Sequence, residues 1–130
     1  MLDWLRGTPI WPPAGAFEDA ILFLEISEQA PTPTVVTCAL RAFASMGVLA
    51  RLSGILFGRP GGRIPIEDFA KYDDAIRRVV VDEEGLANIP IITNMDFGHT
   101  DPMFVLPYGV RAAIDCDHKR FEILEPAVVD

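Results

Sequence analysis

Apolar residues recur along this chain in two alternating forms, short continuous runs and longer segments with helical spacing. The first run, Ala20–Leu24, ends on Glu25 and predicts a strand buried on both faces. After Pro31 and Pro33 the spacing predicts a helix from about Thr34 to Met46. Its polar residues Thr34, Thr37, Arg41 and Ser45 form one stripe, and Val35, Val36, Ala39, Leu40, Ala42, Phe43 and Met46 form a wide buried face. Gly47 suits the position just past the helix end.

Gly54–Phe57 predicts a second apolar strand, followed by a turn at Arg59-Pro60-Gly61-Gly62. A second helix is expected from about Glu67 to Val80, with Phe69, Tyr72, Ile76 and Val79/Val80 facing inward. Local signals conflict at its end. Val79-Val80-Val81 favours a strand, and Asp82-Glu83-Glu84 places acids where the helix dipole favours bases. Ile89–Thr93 predicts a third strand. Alternation from Val110 to Cys116, a turn at Asp117-His118-Lys119, then Phe121 and Ile123 predict an antiparallel hairpin.

The order is β-α-β-α-β plus a hairpin: an α/β domain with two main helices and a mixed sheet. Strands joined through helices run parallel, and their C-terminal ends share one edge, where open α/β folds place their sites. Glu25 ends the first strand, and the loop from Asn94 to Pro102, carrying His99, follows the third. A carboxylate and an imidazole far apart in sequence are therefore expected to share one edge, although a polar residue there also reads simply as the point where a buried strand reaches water. A glutamate on Nδ1 fixes a histidine's tautomer and stabilises its imidazolium.

Other chemistry is thinner. Asp96, His99 and Asp101 lie within one loop, but the chain has only two histidines and no HxxxH or CxxC spacing, so no metal and no cofactor are expected. The two aspartates read equally well as turn-forming residues. His118 reads as an exposed hairpin residue. Cys38 and Cys116 read as core cysteines, reduced in a cytoplasmic protein. The only serines are Ser27, Ser45 and Ser53, and no Gly-x-Ser-x-Gly elbow is present. A base and its orienting acid thus stand without a nucleophile.

Composition narrows the classes further. The net charge of −8, with 19 acids against 11 scattered bases, argues against a nucleic-acid partner. No apolar stretch has the length of a membrane span, and the N-terminus lacks a signal-peptide pattern. The 130 residues fit one domain, 1–130, with one core.

Several blocks occurring in order carry a resemblance. ILFLEISE (Ile21–Glu28), GVLARLSGILFGRP (Gly47–Pro60), NIPIITNMDFGHTDPMFVLPYGV (Asn88–Val110) and AAIDCDHKRFEILE (Ala112–Glu125), with the lead-in LDWLRGTPIWP (Leu2–Pro12), resemble the C-terminal half of the serine LD-carboxypeptidase family. That family includes muramoyltetrapeptide carboxypeptidases of murein recycling and microcin C immunity peptidases. The resemblance implies a compact swivelling β/β/α-type domain. It also implies a Ser-Glu-His triad in which an N-terminal domain supplies serine and oxyanion amides. Glu25 of the LFLE-type strand end would orient, and His99 of the FGHT-type loop would be the general base. The implied substrate is a murein tetrapeptide or a peptidyl-nucleotide, and the implied assembly a homo-oligomer.

The sequence opens where the family's C-terminal domain begins, so the expectation is a domain fragment whose N-terminal nucleophile domain is absent, inactive alone. Such a fragment would expose an apolar lead-in (Trp4, Leu5, Ile10, Trp11) and self-associate. The competing expectation is a stand-alone, non-catalytic module that binds a peptide or a partner protein.

Overall fold

Two short 3-10 turns, Leu2–Leu5 and Ala14–Phe17, lead into β1 (Ile21–Leu24). The computed structural model describes residues 2–128. After β1 come α1 (Pro33–Ser45), β2 (Gly54–Gly58), α2 (Phe69–Arg77) and β3 (Ile91–Met95). The hairpin of β4 (Ala112–Asp115) and β5 (Arg120–Ile123) closes the order. β1, β2 and β3 form a parallel sheet in that spatial order, and β4 and β5 form a separate antiparallel pair. The α/β class, two main helices and C-terminal hairpin agree with expectation. The parallel and antiparallel strands, however, are hydrogen-bonded as two sheets.

Strand order and crossover hand put both helices on one face of the sheet. Leu22 and Leu24 of β1, Ile55 and Phe57 of β2, and Ile91 of β3 alternate onto that face, where Leu40, Phe43, Tyr72, Ile76, Val79 and Val80 complete the core. Burial of each such aliphatic side chain contributes roughly 1.5–3 kcal/mol. The opposite face is covered by the hairpin and by the segment after β3. Ile114 lies against Gly54, while Phe97 and Tyr108 pack on Phe23.

The central strand and its neighbours bury differently. All five residues of β2 are buried, whereas β1 is an edge strand with every residue only partly covered. The expectation of a first strand buried on both faces is thereby corrected. A continuous apolar run resembles a central strand, and sequence spacing does not show which strand lies at the edge. Between β1 and the 106–112 segment lies a cavity of about 780 Å³ that reaches Glu25.

α1 is rotated relative to its predicted stripe. Thr37 is buried, its hydroxyl donating to the Pro33 carbonyl at 3.1 Å, so its polar group is satisfied inside the helix. Val35 and Met46 face outward instead. Gly47 follows the helix at φ +71°, as expected of that position. α2 passes into a π-helical turn, Arg78–Glu83, at the point where the signals conflicted. The Glu84 amide donates to the Val79 carbonyl, and the widened turn keeps Val79 and Val80 fully buried side by side. Arg41 on α1 clasps Glu83 through two hydrogen bonds of 2.8 and 2.6 Å.

Both cysteines are exposed, correcting their assignment to the core. Cys38 shares the outward face of α1 with Val35 and Arg41, and Cys116 lies just past the end of β4, at the hairpin turn. The native protein should therefore take up two equivalents of a thiol reagent such as DTNB without denaturant. An uptake of fewer than two would show that one thiol is covered. In the lead-in, Trp4 and Ile10 are exposed, but Trp11 packs against Phe17 and Phe43, so the expected apolar surface is smaller than the sequence implied.

Candidate active site

At the C-terminal edge of the parallel sheet, Glu25 and His99 meet. Glu25 directly follows β1, and His99 lies in the loop after β3. His99 Nδ1 is 2.6 Å from Glu25 Oε2, and the His99 backbone amide donates to the same oxygen at 3.2 Å. One carboxylate oxygen thus grips both the ring and the backbone of the histidine, fixing its orientation as well as its tautomer.

Close backbone approach makes this possible. Gly98 has φ +87°, and a Cβ there would lie 2.5 Å from Glu25 Oε2. At Gly61, in the turn after β2, a Cβ would lie 1.9 Å from the His99 carbonyl oxygen. Any side chain at either position would displace one partner of the pair.

The rest of the loop is tied down around them. Phe97 is buried and packs edge-on to Phe23 and Phe104. The Phe104 amide donates to the Asp96 carbonyl at 2.8 Å, and Thr100 Oγ1 donates to the Pro102 carbonyl at 3.0 Å. Arg59 forms a 2.8 Å ion pair with Asp96 and donates to the Asp101 carbonyl at 3.4 Å. Asp96 is therefore engaged with an arginine, and Asp101 enters the loop's framework through its backbone. Among the described residues no group of three or more His, Cys, Asp or Glu side chains is placed to hold a metal ion. His118 is an exposed hairpin residue, capped by Asp115 at 2.8 Å.

Sequence reasoning missed Glu28. Its Oε2 lies 2.8 Å from His99 Nε2, so the imidazole is held between two carboxylates. The available signal was a second acid three residues beyond Glu25 in a loop leaving the same strand end. Nδ1 is hydrogen-bonded to Glu25, and the Glu28 carboxylate stands beside Nε2 as a charge; both favour the imidazolium. The His99 pKa is raised above its ordinary 6.5, chiefly by the hydrogen bond to Glu25, then by that carboxylate's charge, with a smaller charge contribution from Glu28. Partial desolvation opposes the rise. The associated stabilisation is complete below pH 6.5 and is lost as pH rises through the raised folded-state value.

None of the three serines is a hydrogen-bond partner of His99 among the described residues. Ser45 donates to the Ala42 carbonyl and Ser53 to the Asp19 carbonyl. Among the described residues the site is a carboxylate–imidazole pair with no serine hydrogen-bonded to the ring.

The surroundings of this pair have counterparts in known proteins. The family model described as the LD-carboxypeptidase C-terminal domain matches residues 1–114. A protein of Treponema pallidum, predicted to be a carboxypeptidase, is 30% identical over 115 residues, covering 88% of this chain and 32% of its own length. An MccF-like protein from Streptococcus pneumoniae, solved in complex with AMP, superposes with a TM-score of 0.74 at 25% identity, over 95% of this chain and 38% of that one. Muramoyltetrapeptide carboxypeptidase from Oxalobacter formigenes gives 0.63 at 28% identity, over 86% of this chain and 37% of that one. The chain spans less than two fifths of the length of each of these relatives.

Proposed function

The chain belongs to the family of LD-carboxypeptidase C-terminal domains, and on that premise we propose that Glu25 and His99 form the acid-base half of a Ser-Glu-His triad. The observation that carries this reading is the 2.6 Å contact between His99 Nδ1 and Glu25, reinforced by the backbone amide on the same oxygen. That arrangement directs Nε2 away from Glu25, toward a nucleophile that another part of the enzyme supplies.

Neutral Nε2 takes the proton of the serine hydroxyl as its oxygen attacks the scissile carbonyl. The imidazolium, stabilised by Glu25, then gives that proton to the leaving amine as the C–N bond breaks. Water enters by the same route: Nε2 takes a water proton, the hydroxide oxygen bonds to the acyl carbon, and the proton returns to the serine oxygen as the ester bond breaks. The reaction class is hydrolysis of an amide near a peptide carboxyl terminus. The candidate substrates are a murein tetrapeptide and a peptidyl-nucleotide.

These 130 residues alone should hydrolyse neither substrate, because among the described residues no serine is hydrogen-bonded to His99. Adding the serine-bearing domain should restore turnover. Hydrolysis of an LD-tetrapeptide or a peptidyl-nucleotide by the purified chain, abolished by His99→Ala, would overturn the division of labour proposed.

A further inference from the structure

The second carboxylate on His99 has no place in the triad described. It touches the nitrogen on which the triad's proton transfer depends. We infer that Glu28 is a gating residue of this site, holding Nε2 of His99 until the nucleophile's hydroxyl takes its place. The inference rests on the proposed role of His99.

Geometry supports it from two sides. Glu28 Oε2 stands 2.8 Å from Nε2, while its side chain is 70% exposed. The carboxylate is therefore close enough to hold the ring and free enough to leave it, since little packing opposes its rotation into water. The backbone beneath is more constrained. The Arg59–Gly62 turn lies between the two segments: a Cβ on Gly61 would strike the His99 carbonyl, and one on Gly62 would rest 3.6 Å from the Glu28 carbonyl. These two glycines set the separation of the histidine backbone from the Glu28 backbone. Glu28 thus keeps a fixed root and an exposed tip.

A consequence for protonation follows from the charges facing the ring. Glu25 comes from the end of β1 and Glu28 from the loop beyond it. Of the nearby charged groups, Arg59 on the turn is committed to Asp96, and Asp101 meets Arg59 through its carbonyl. Two carboxylates on one ring favour the imidazolium, which cannot act as a base. Removing Glu28 should release Nε2 and leave the Glu25 bond intact.

The test uses the chain labelled with ¹⁵N-histidine and titrated by NMR. Glu28→Gln should lower the His99 pKa by about 0.5–1 unit while Nδ1 stays protonated against Glu25. Glu67→Gln, an exposed carboxylate on the 3-10 turn before α2 with no hydrogen bond or ion pair to His99 among the described residues, controls for net charge. A shift no larger than that control's would overturn the inference. In the enzyme completed by its serine domain, Glu28→Gln should raise kcat/KM about three- to tenfold at pH values below the His99 pKa, in proportion to the added neutral imidazole. An unchanged or reduced value there would sink the gate. Loss of the triad reading has its own signature: His99→Ala would leave hydrolysis intact, whatever the titration of Glu28→Gln shows.

Discussion

Replacing His99 by alanine in the enzyme completed by its serine domain should lower kcat by about 10⁵–10⁶-fold, with KM nearly unchanged. The size follows from the role. Without Nε2 the serine hydroxyl has no base to receive its proton, and the leaving amine has no acid to supply one. Glu25→Gln should be milder, at about 10⁴-fold. Its amide oxygen can still accept from Nδ1, but the charge that stabilises the imidazolium is gone. The two single variants and the double should be far from additive, because each removes the same proton relay.

A second readout separates this from a structural role. Glu25 is the largest cause of the raised His99 pKa, so Glu25→Gln should move the ring's titration down, toward or below 6.5, in the chain alone. The pH dependence has a definite sign. His99 must be neutral to act, so kcat/KM should rise with pH through a value above 6.5 in the native enzyme. An activity that is already maximal at pH 6, or His99→Ala retaining activity within tenfold, would contradict the proposed base.

Much of this site is legible in the sequence, because parallel topology constrains where distant residues go. With β1, β2 and β3 as parallel strands joined by helices, Glu25 and the loop of His99 share an edge. Two kinds of information were not legible. Rotation of α1 is ambiguous in the sequence because Arg41 is its only charged residue, leaving the rest of the stripe to be defined by threonine and serine. Thr37 satisfies its hydroxyl on its own helix, so it can be buried, and Cys38 and Val35 then turn to solvent. Glu28 escaped notice for a different reason. An acid in a loop after a strand is ordinarily a solvated side chain, and only three-dimensional proximity distinguishes it from a ligand of the imidazole. The glycines were likewise visible as turn formers, but the surface each one presses against was not.

Gly98 shows what that pressure is worth. Gly98→Ala combines two costs. A Cβ at φ +87° is disfavoured by about 1–2 kcal/mol. The same atom would also lie 2.5 Å from Glu25 Oε2 and 2.7 Å from Glu25 Cβ. Rotating the carboxylate relieves the first contact and leaves the second, since Cβ moves only with the backbone of Glu25. Relief therefore requires the strand end and the histidine loop to separate, which breaks the Nδ1 bond. Gly85→Ala isolates the backbone term, because Gly85 has φ +69° and nothing within 4 Å of its added Cβ. In urea unfolding, Gly98→Ala should cost about 2–4 kcal/mol and Gly85→Ala about 1 kcal/mol. Only Gly98→Ala should bring the His99 pKa down toward 6.5 and, in the completed enzyme, lower kcat at least about 10²-fold. Equal destabilisation by the two variants, with the His99 titration unmoved, would mean that the loop accommodates a methyl group without releasing the pair. The close packing of Gly98 against Glu25 would then not be what holds the histidine in position.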